Sequence, residues 1–261
     1  YAFKDPRQFY YGAYVLNRAK LQETAESNFD FVDKRGGLTS LPKGLARRIA
    51  AILLPLRHYE WGANQLNCQI TMFGWGGAIT QATMYTTMDR LGMAQYLSRI
   101  GLLLDGQTGS SLTHAKQAWM EDPNWQGLRR IVEDLLVEKD WFEVLVAQDV
   151  VLDGLLFPMV YGRFGAELSQ QGASVVAMLT EFMDTWFVEH GKWVDATLKI
   201  AAGESAENKA LLNGWVKKWR VRADEALAPL AKMIYFEDAK PALAEANAAL
   251  DARLKKAGLD A

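Results

Sequence analysis

From Arg57 to Leu104 the chain runs without a proline and without a cluster of loop residues. That stretch predicts one long helix, or two stacked end to end, and it narrows the possible folds more than any other feature. No segment alternates apolar and polar residues at period two, no Asn-Gly turn joins two alternating runs, and no repeat of fixed period is visible. An all-α bundle of about eight helices in a single domain, residues 1–261, is the expected architecture. Two or three of the helices are long enough to form a four-helix, ferritin-like core with additional flanking helices.

The remaining boundaries follow from local signals. Asp5-Pro6 reads as a helix start, with the helix running to about Phe29 before Asp33-Lys34-Arg35-Gly36-Gly37 breaks it. Its opening carries Phe3, Phe9, Tyr10, Tyr11 and Tyr14 on several sides, more than one buried face can hold, so some of them should meet another surface. Leu41-Pro42-Lys43-Gly44 starts a second helical stretch through Leu56. Gly74, Gly77, Ala78 and Ala82 recur at helical spacing and read as points of close helix packing. Asp105 to Ser110 is a loop, Trp119 to Pro123 a turn, and Leu128 to Val160 a long helix that Pro158 should kink or end. Helices over 172–202, 205–227 and 241–256 complete the chain, with Pro229 following the second of these and Gly258 closing the last.

A helical chain rich in Trp, Met and Gly raises the question of a dinuclear iron site. Such a site needs Glu and His three residues apart on two helices, because that spacing aims both side chains at the same metals. The three histidines are His58, His114 and His190; three residues before them stand Pro55, Ser111 and Phe187, and four before them Leu54, Ser110 and Trp186. None is a carboxylate. His-Glu-x-x-His, the P-loop and Gly-x-Ser-x-Gly are absent, Gly74-Trp75-Gly76-Gly77 only partly echoes a dinucleotide loop, and Cys68 has no second cysteine for a zinc site. No catalytic, cofactor-binding or metal-ligating residue is assigned.

Two polar clusters stand in apolar surroundings. Asp149 and Asp153 lie a helical turn apart inside an aliphatic run, where a carboxylate must be paired or hydrogen-bonded; the alternatives are a salt bridge or backbone contact, and the remnant of a metal site. Arg57-His58-Tyr59-Glu60-Trp61-Gly62-Ala63-Asn64 points to an interface or to hydrogen bonds between helices, since His58 and Glu60 face different sides. The nine tryptophans suit both a core and a large permanent interface.

A formal charge of -2 leaves no cationic excess for nucleic acid. The most apolar short run, Ala50 to Leu56, is too short to cross a bilayer, so no membrane partner is expected. With a lone cysteine and no leader pattern at Tyr1-Ala2-Phe3-Lys4, a cytoplasmic protein is expected, and the abrupt start suggests a further N-terminal extension.

Three segments carry a resemblance: Asp5-Pro6-Arg7-Gln8-Phe9-Tyr10-Tyr11-Gly12, Arg57 to Asn64, and Asp140-Trp141-Phe142-Glu143. With the rest of the chain they resemble the β subunit of the bacterial multicomponent phenol hydroxylases, relatives of toluene and soluble methane monooxygenases. The resemblance implies an (αβγ)2 hydroxylase in which α holds the diiron centre and β keeps a similar fold without the ligands. Where α would show Asp-Glu-x-x-His, this chain shows Asp89-Arg90-Leu91-Gly92-Met93, with Met183-Asp184-Thr185-Trp186-Phe187 as the later counterpart. It further implies hydroxylation of phenol or a methylphenol by O2 and NADH, through a reductase holding FAD and an iron-sulfur cluster, with a small effector protein. Phe9, Tyr10, Tyr11, Tyr14, His58, Glu60 and Trp61 are the expected contacts with α.

Three alternatives remain open at this stage. One is the β subunit of a related toluene or aromatic monooxygenase, and another a stand-alone helical scaffold. The third is a diiron oxidase with atypical ligands, which requires Glu60, Asp89, Asp153, Asp184 or Glu189, and His190 to converge.

Overall fold

The computed structural model describes residues 2–260, and among them it contains helices and no strand. Ten helices follow one another: α1 (Tyr11–Lys34), α2 (Lys43–Leu53), α3 (Leu56–Phe73), α4 (Gly77–Leu104), α5 (Ser110–Glu121), α6 (Pro123–Leu135), α7 (Trp141–Gln170), α8 (Ser174–Glu204), α9 (Ala206–Tyr235) and α10 (Ala239–Lys256). Helices α3, α4, α7 and α8 surround the centre as a four-helix core, and the others flank it. One hydrophobic cluster reaches from Phe29 on α1 to Leu259 beyond α10.

The long uninterrupted stretch is two helices folded back on each other, which corrects the expectation of end-to-end stacking. Gly74 caps α3, its N–H donating to the Ile70 carbonyl at 2.7 Å, and a Cβ there would lie 2.5 Å from that same oxygen. Gly76 follows at φ +96°, a conformation that favours glycine. These glycines therefore make a turn and do not serve helix packing. The pairing across the hairpin is antiparallel: Thr71 bonds Thr83 (2.8 Å), Asn64 donates to the Thr87 carbonyl (2.7 Å), and Glu60 meets Arg90 (2.9 Å). Close packing falls to Gly62, where a Cβ would stand 2.4 Å from Val132 Cγ1 on α6.

Other boundaries also move. Helix α1 starts at Tyr11, not Asp5, because the Asp5 carboxylate folds back onto the Arg7 N–H (2.9 Å) and Gln8 takes φ +56°. The expected helix over 128–160 breaks where Asp140 accepts hydrogen bonds from the N–H groups of Phe142 and Glu143 and starts α7 afresh. Neither proline ends its helix. Pro158 opens a stretch of wider π-helical turns, Pro158–Phe164, within α7. Pro229 sits inside α9, whose last turns bury Leu230, Ala231 and Ile234 completely. Burial of three apolar side chains, at roughly 1.5–3 kcal/mol for each of the two larger ones, outweighs a proline cost of about 3 kcal/mol.

Helix α7 is also long and apolar enough to span a bilayer, a feature that the short run at Ala50 does not reveal, but 94% of its most apolar window is buried inside the bundle. It is the core helix. Its first π-helical stretch, Val146–Leu152, is buried at every residue and carries Gln148 and Asp149 into the centre.

Candidate functional site at the bundle centre

Four helices deliver charged or polar side chains to one enclosed point. Glu60 comes from α3, Arg90 from α4, Asp149 and Asp153 from α7 and His190 from α8, and all five are fully buried. The Arg90 guanidinium stands between the carboxylates. Its Nη1 donates to Glu60 at 2.9 Å, its Nη2 donates to Asp153, and Asp149 lies 3.6 Å from Nη2. Trp186 lies 4.5 Å and Phe157 5.3 Å from it ring to cation, so aromatic faces close the remaining sides. Tyr59 and Gln148 both donate to Asp153 (2.7 and 3.1 Å), and Asn67 donates to Asp149 (3.2 Å).

The electrostatics follow from three fully buried carboxylates facing one buried cation. Burial pushes Glu60 up to about 7, aided by Asp153 and opposed by Arg90. Burial likewise lifts Asp149 to about 6 and raises Asp153, with Arg90 the main opposing influence on both. Burial would lower the Arg90 guanidinium, yet Asp153 and Glu60 outweigh it and hold that group charged. His190 is driven well below its ordinary value by burial and then by Arg90.

A metal ion does not fit this donor set. Asp149, Asp153 and His190 offer ligand atoms within 4.8 Å of one another, but the guanidinium already occupies the space they face. The imidazole is also in the wrong state. Trp193, a donor only, gives its indole N–H to His190 Nδ1 at 3.0 Å, so the neutral ring carries its proton on Nε2, which lies 3.4 Å from Asp149 without a hydrogen bond. That nitrogen is a donor. A metal-bound histidine has the reverse arrangement, with its other ring nitrogen donating a hydrogen bond.

The residues required for an atypical diiron site divide into three groups. Glu60, Asp153 and His190 converge on Arg90. Asp89 and Glu189 instead grip Arg18 of α1, with contacts of 2.7 Å to each, and Asp89 also accepts from Tyr14 and Trp186 at 2.8 Å. Asp184 is exposed. Its exposure corrects the register read at Met183–Phe187, since the inward residues of α8 are Met183, Trp186, His190 and Trp193. In the earlier motif, Arg90 and Met93 are both fully buried.

The seven expected interface residues also separate. Tyr10, Tyr11 and Trp61 are exposed, at 66%, 69% and 53%. Phe9 is half-buried, 4.8 Å from the Arg7 guanidinium, and His58 is half-buried against Trp119. Tyr14 and Glu60 cannot meet a partner: Tyr14 stacks on Tyr85 at 4.2 Å and bonds Asp89, while Glu60 is held by Arg90. Sequence reasoning pointed to Asp149 and Asp153 with a salt bridge, a backbone contact or a metal-site remnant as alternatives, and the structure supplies the salt bridge. It assigned no role to Arg90. An arginine three residues before a methionine, within a helix that brings few other cations inward, was the one available signal.

The whole chain has close relatives. A family model described as methane/phenol/alkene hydroxylase matches residues 1–205. The oxygenase component DmpL of phenol 2-monooxygenase from Pseudomonas sp. (strain CF600) is 51% identical over 257 residues, covering 98% of this chain and 76% of that protein. MhpL, the corresponding component from Acinetobacter pittii (strain PHEA-2), is 47% identical over 99% of this chain and 77% of its own length. The crystal structure of xenon-pressurised phenol hydroxylase from Pseudomonas sp. OX1 superposes with a TM-score of 0.95 at 47% identity, over 100% of this chain and 78% of the matched one. On the length and level of these matches, the chain belongs to the methane/phenol/alkene hydroxylase family.

Proposed function

We propose that this chain is the β subunit of the oxygenase of a phenol hydroxylase: a single ferritin-like domain that supports the diiron-bearing α subunit and carries no active site itself. The observation that carries this reading is the guanidinium at the bundle centre. A side chain fills the position from which a carboxylate-bridged metal pair would act, so the redox chemistry of such an oxygenase belongs to a partner chain. The kinship with two phenol 2-monooxygenase components supports phenol as the substrate of the complex.

The complex would be (αβγ)2 and cytoplasmic, with electrons from NADH passing through a reductase containing FAD and an iron-sulfur cluster, and with a small effector protein. Exposed Tyr10, Tyr11 and Trp61, with half-buried Phe9 and His58, are this chain's contact residues toward α. The outer side of the α3–α4 hairpin supports that assignment. Met84, Met88 and Leu91 form an exposed stripe at helical spacing on α4, and Met72 is 77% exposed on α3. A permanent subunit contact of roughly 2,000 Å² or more would cover such a face.

The test is iron per polypeptide in this chain expressed alone, and in this chain co-expressed with its α partner and then separated from it. Iron confined to the partner is the expected result; two tightly held irons in this chain would overturn the reading. Trp61→Ala should weaken co-purification with α without changing the thermal midpoint of the isolated chain.

A further inference from the structure

The central cluster is an ion site whose ion is a side chain. Three carboxylates from two helices face one guanidinium from a third, and formal charges leave the cluster two negative charges in excess. Several oxygens there have no hydrogen-bond partner. Glu60 Oε1 and Asp149 Oδ2 belong to fully buried carboxylates whose other oxygens face Arg90 or its neighbours, and the Gln148 Oε1 and Asn67 Oδ1 atoms close by are also unpartnered. Such oxygens are costly when buried.

We propose that the Arg90 guanidinium is the built-in cation of an all-oxygen site, and that removing it opens the bundle centre to one hard divalent cation bound by Glu60, Asp149 and Asp153. The ligand class follows from the donors. Carboxylate and amide oxygens without thiolate suit Mn2+ or Mg2+ in place of softer ions. His190 stays outside the ligand set because Trp193 donates to its Nδ1 and so fixes its proton on Nε2, which has no lone pair to offer a cation. The enclosed apolar shell of Phe157, Trp186 and Trp193 supplies a rigid wall on that side. In the unmodified chain the same geometry gives Arg90 a positioning role: one side chain ties α3, α4 and α7 together without an exchangeable ion.

The experiment uses the full chain with MnCl2 as the probe, following loss of the free Mn2+ EPR signal. Arg90→Ala should bind one Mn2+ per chain at least tenfold more tightly than the unmodified chain binds any, and the thermal midpoint should rise with Mn2+ in the variant alone. Adding Asp149→Asn to Arg90→Ala should weaken that binding at least tenfold. An alanine variant that folds only with Mn2+ present is a supporting result. Arg90→Gln, which removes the guanidinium and leaves a shorter side chain whose amide oxygen can join the ligands, is measured beside it as the better-packed form and should also take up Mn2+. The proposal is overturned when both variants fold and bind no more Mn2+ than the unmodified chain, or when uptake is indifferent to Asp149→Asn.

Discussion

Replacing Glu60 by Gln isolates the cost of the excess buried charge. The amide oxygen can still accept from Arg90 Nη1, which donates to Glu60 at 2.9 Å, but the side chain can no longer ionise. Glu60 lies at about 7 in the folded chain against an ordinary value of 4.5. Below pH 4 the carboxyl is protonated in both states and contributes no difference. As the pH passes 4.5 the unfolded chain ionises first, the folded chain holds more protons, and stability falls with rising pH until the pH passes about 7. At 1.36 kcal/mol per unit, the total loss assigned to this one group is about 3 kcal/mol. The Gln variant should escape that loss while retaining the smaller slope that comes from Asp149, lifted to about 6. Urea unfolding, followed by tryptophan fluorescence between pH 4 and pH 8, measures the difference directly. The gap between the two chains should move by about 3 kcal/mol in favour of the variant across that range. Parallel curves, or an unmodified chain that gains stability toward pH 8, would show that Arg90 fully compensates an ionised Glu60, and the excess-charge argument would fail.

Two further perturbations probe different parts of the molecule. Gly62→Ala places a Cβ 2.4 Å from Val132 Cγ1 and should cost about 1–3 kcal/mol by overpacking the α3–α6 contact; pairing it with Val132→Ala should recover part of that cost in a double-mutant cycle. Arg18→Ala removes the fork that binds Asp89 on α4 and Glu189 on α8; it leaves buried Asp89 without a cation and Glu189 with Arg7 alone. Limited proteolysis should then cut sooner in residues 2–10, since Arg7 and Phe9 pack against that same network, whereas an unchanged digestion pattern would mean that other contacts hold the segment.

The all-helical class, the loop at Asp105–Ser110 and the lack of any Glu-x-x-His motif were readable from the sequence. Each depends on spacing along one helix, and spacing is written in the chain. The aliphatic run around Asp149 and Asp153 forced the expectation of a partner for the same reason, since a buried carboxylate without one is too costly.

The partner itself belongs to another helix. Arg90 could meet Glu60 only after Gly74 and Gly76 turned α4 back along α3, and it could meet Asp149 and Asp153 only where the π-helical turns of α7 and the α-helical turn that follows them face inward. Pro229 was misread as a stop, and Pro158 was given a kink or an end where the helix continues through π-helical turns, because local propensity is worth about 3 kcal/mol and burial of the surrounding helix is worth more. Tyr14 and Glu60 were misassigned to an interface on similar grounds: an aromatic or charged residue declares its chemistry in the sequence, while the side of the bundle it faces is decided by the packing of helices distant in the chain. The sequence by itself determined the helical class and the absence of a Glu-x-x-His motif; tertiary packing decided that a guanidinium takes the centre, because only there do Glu60 of α3 and Asp149 and Asp153 of α7 need one cation between them.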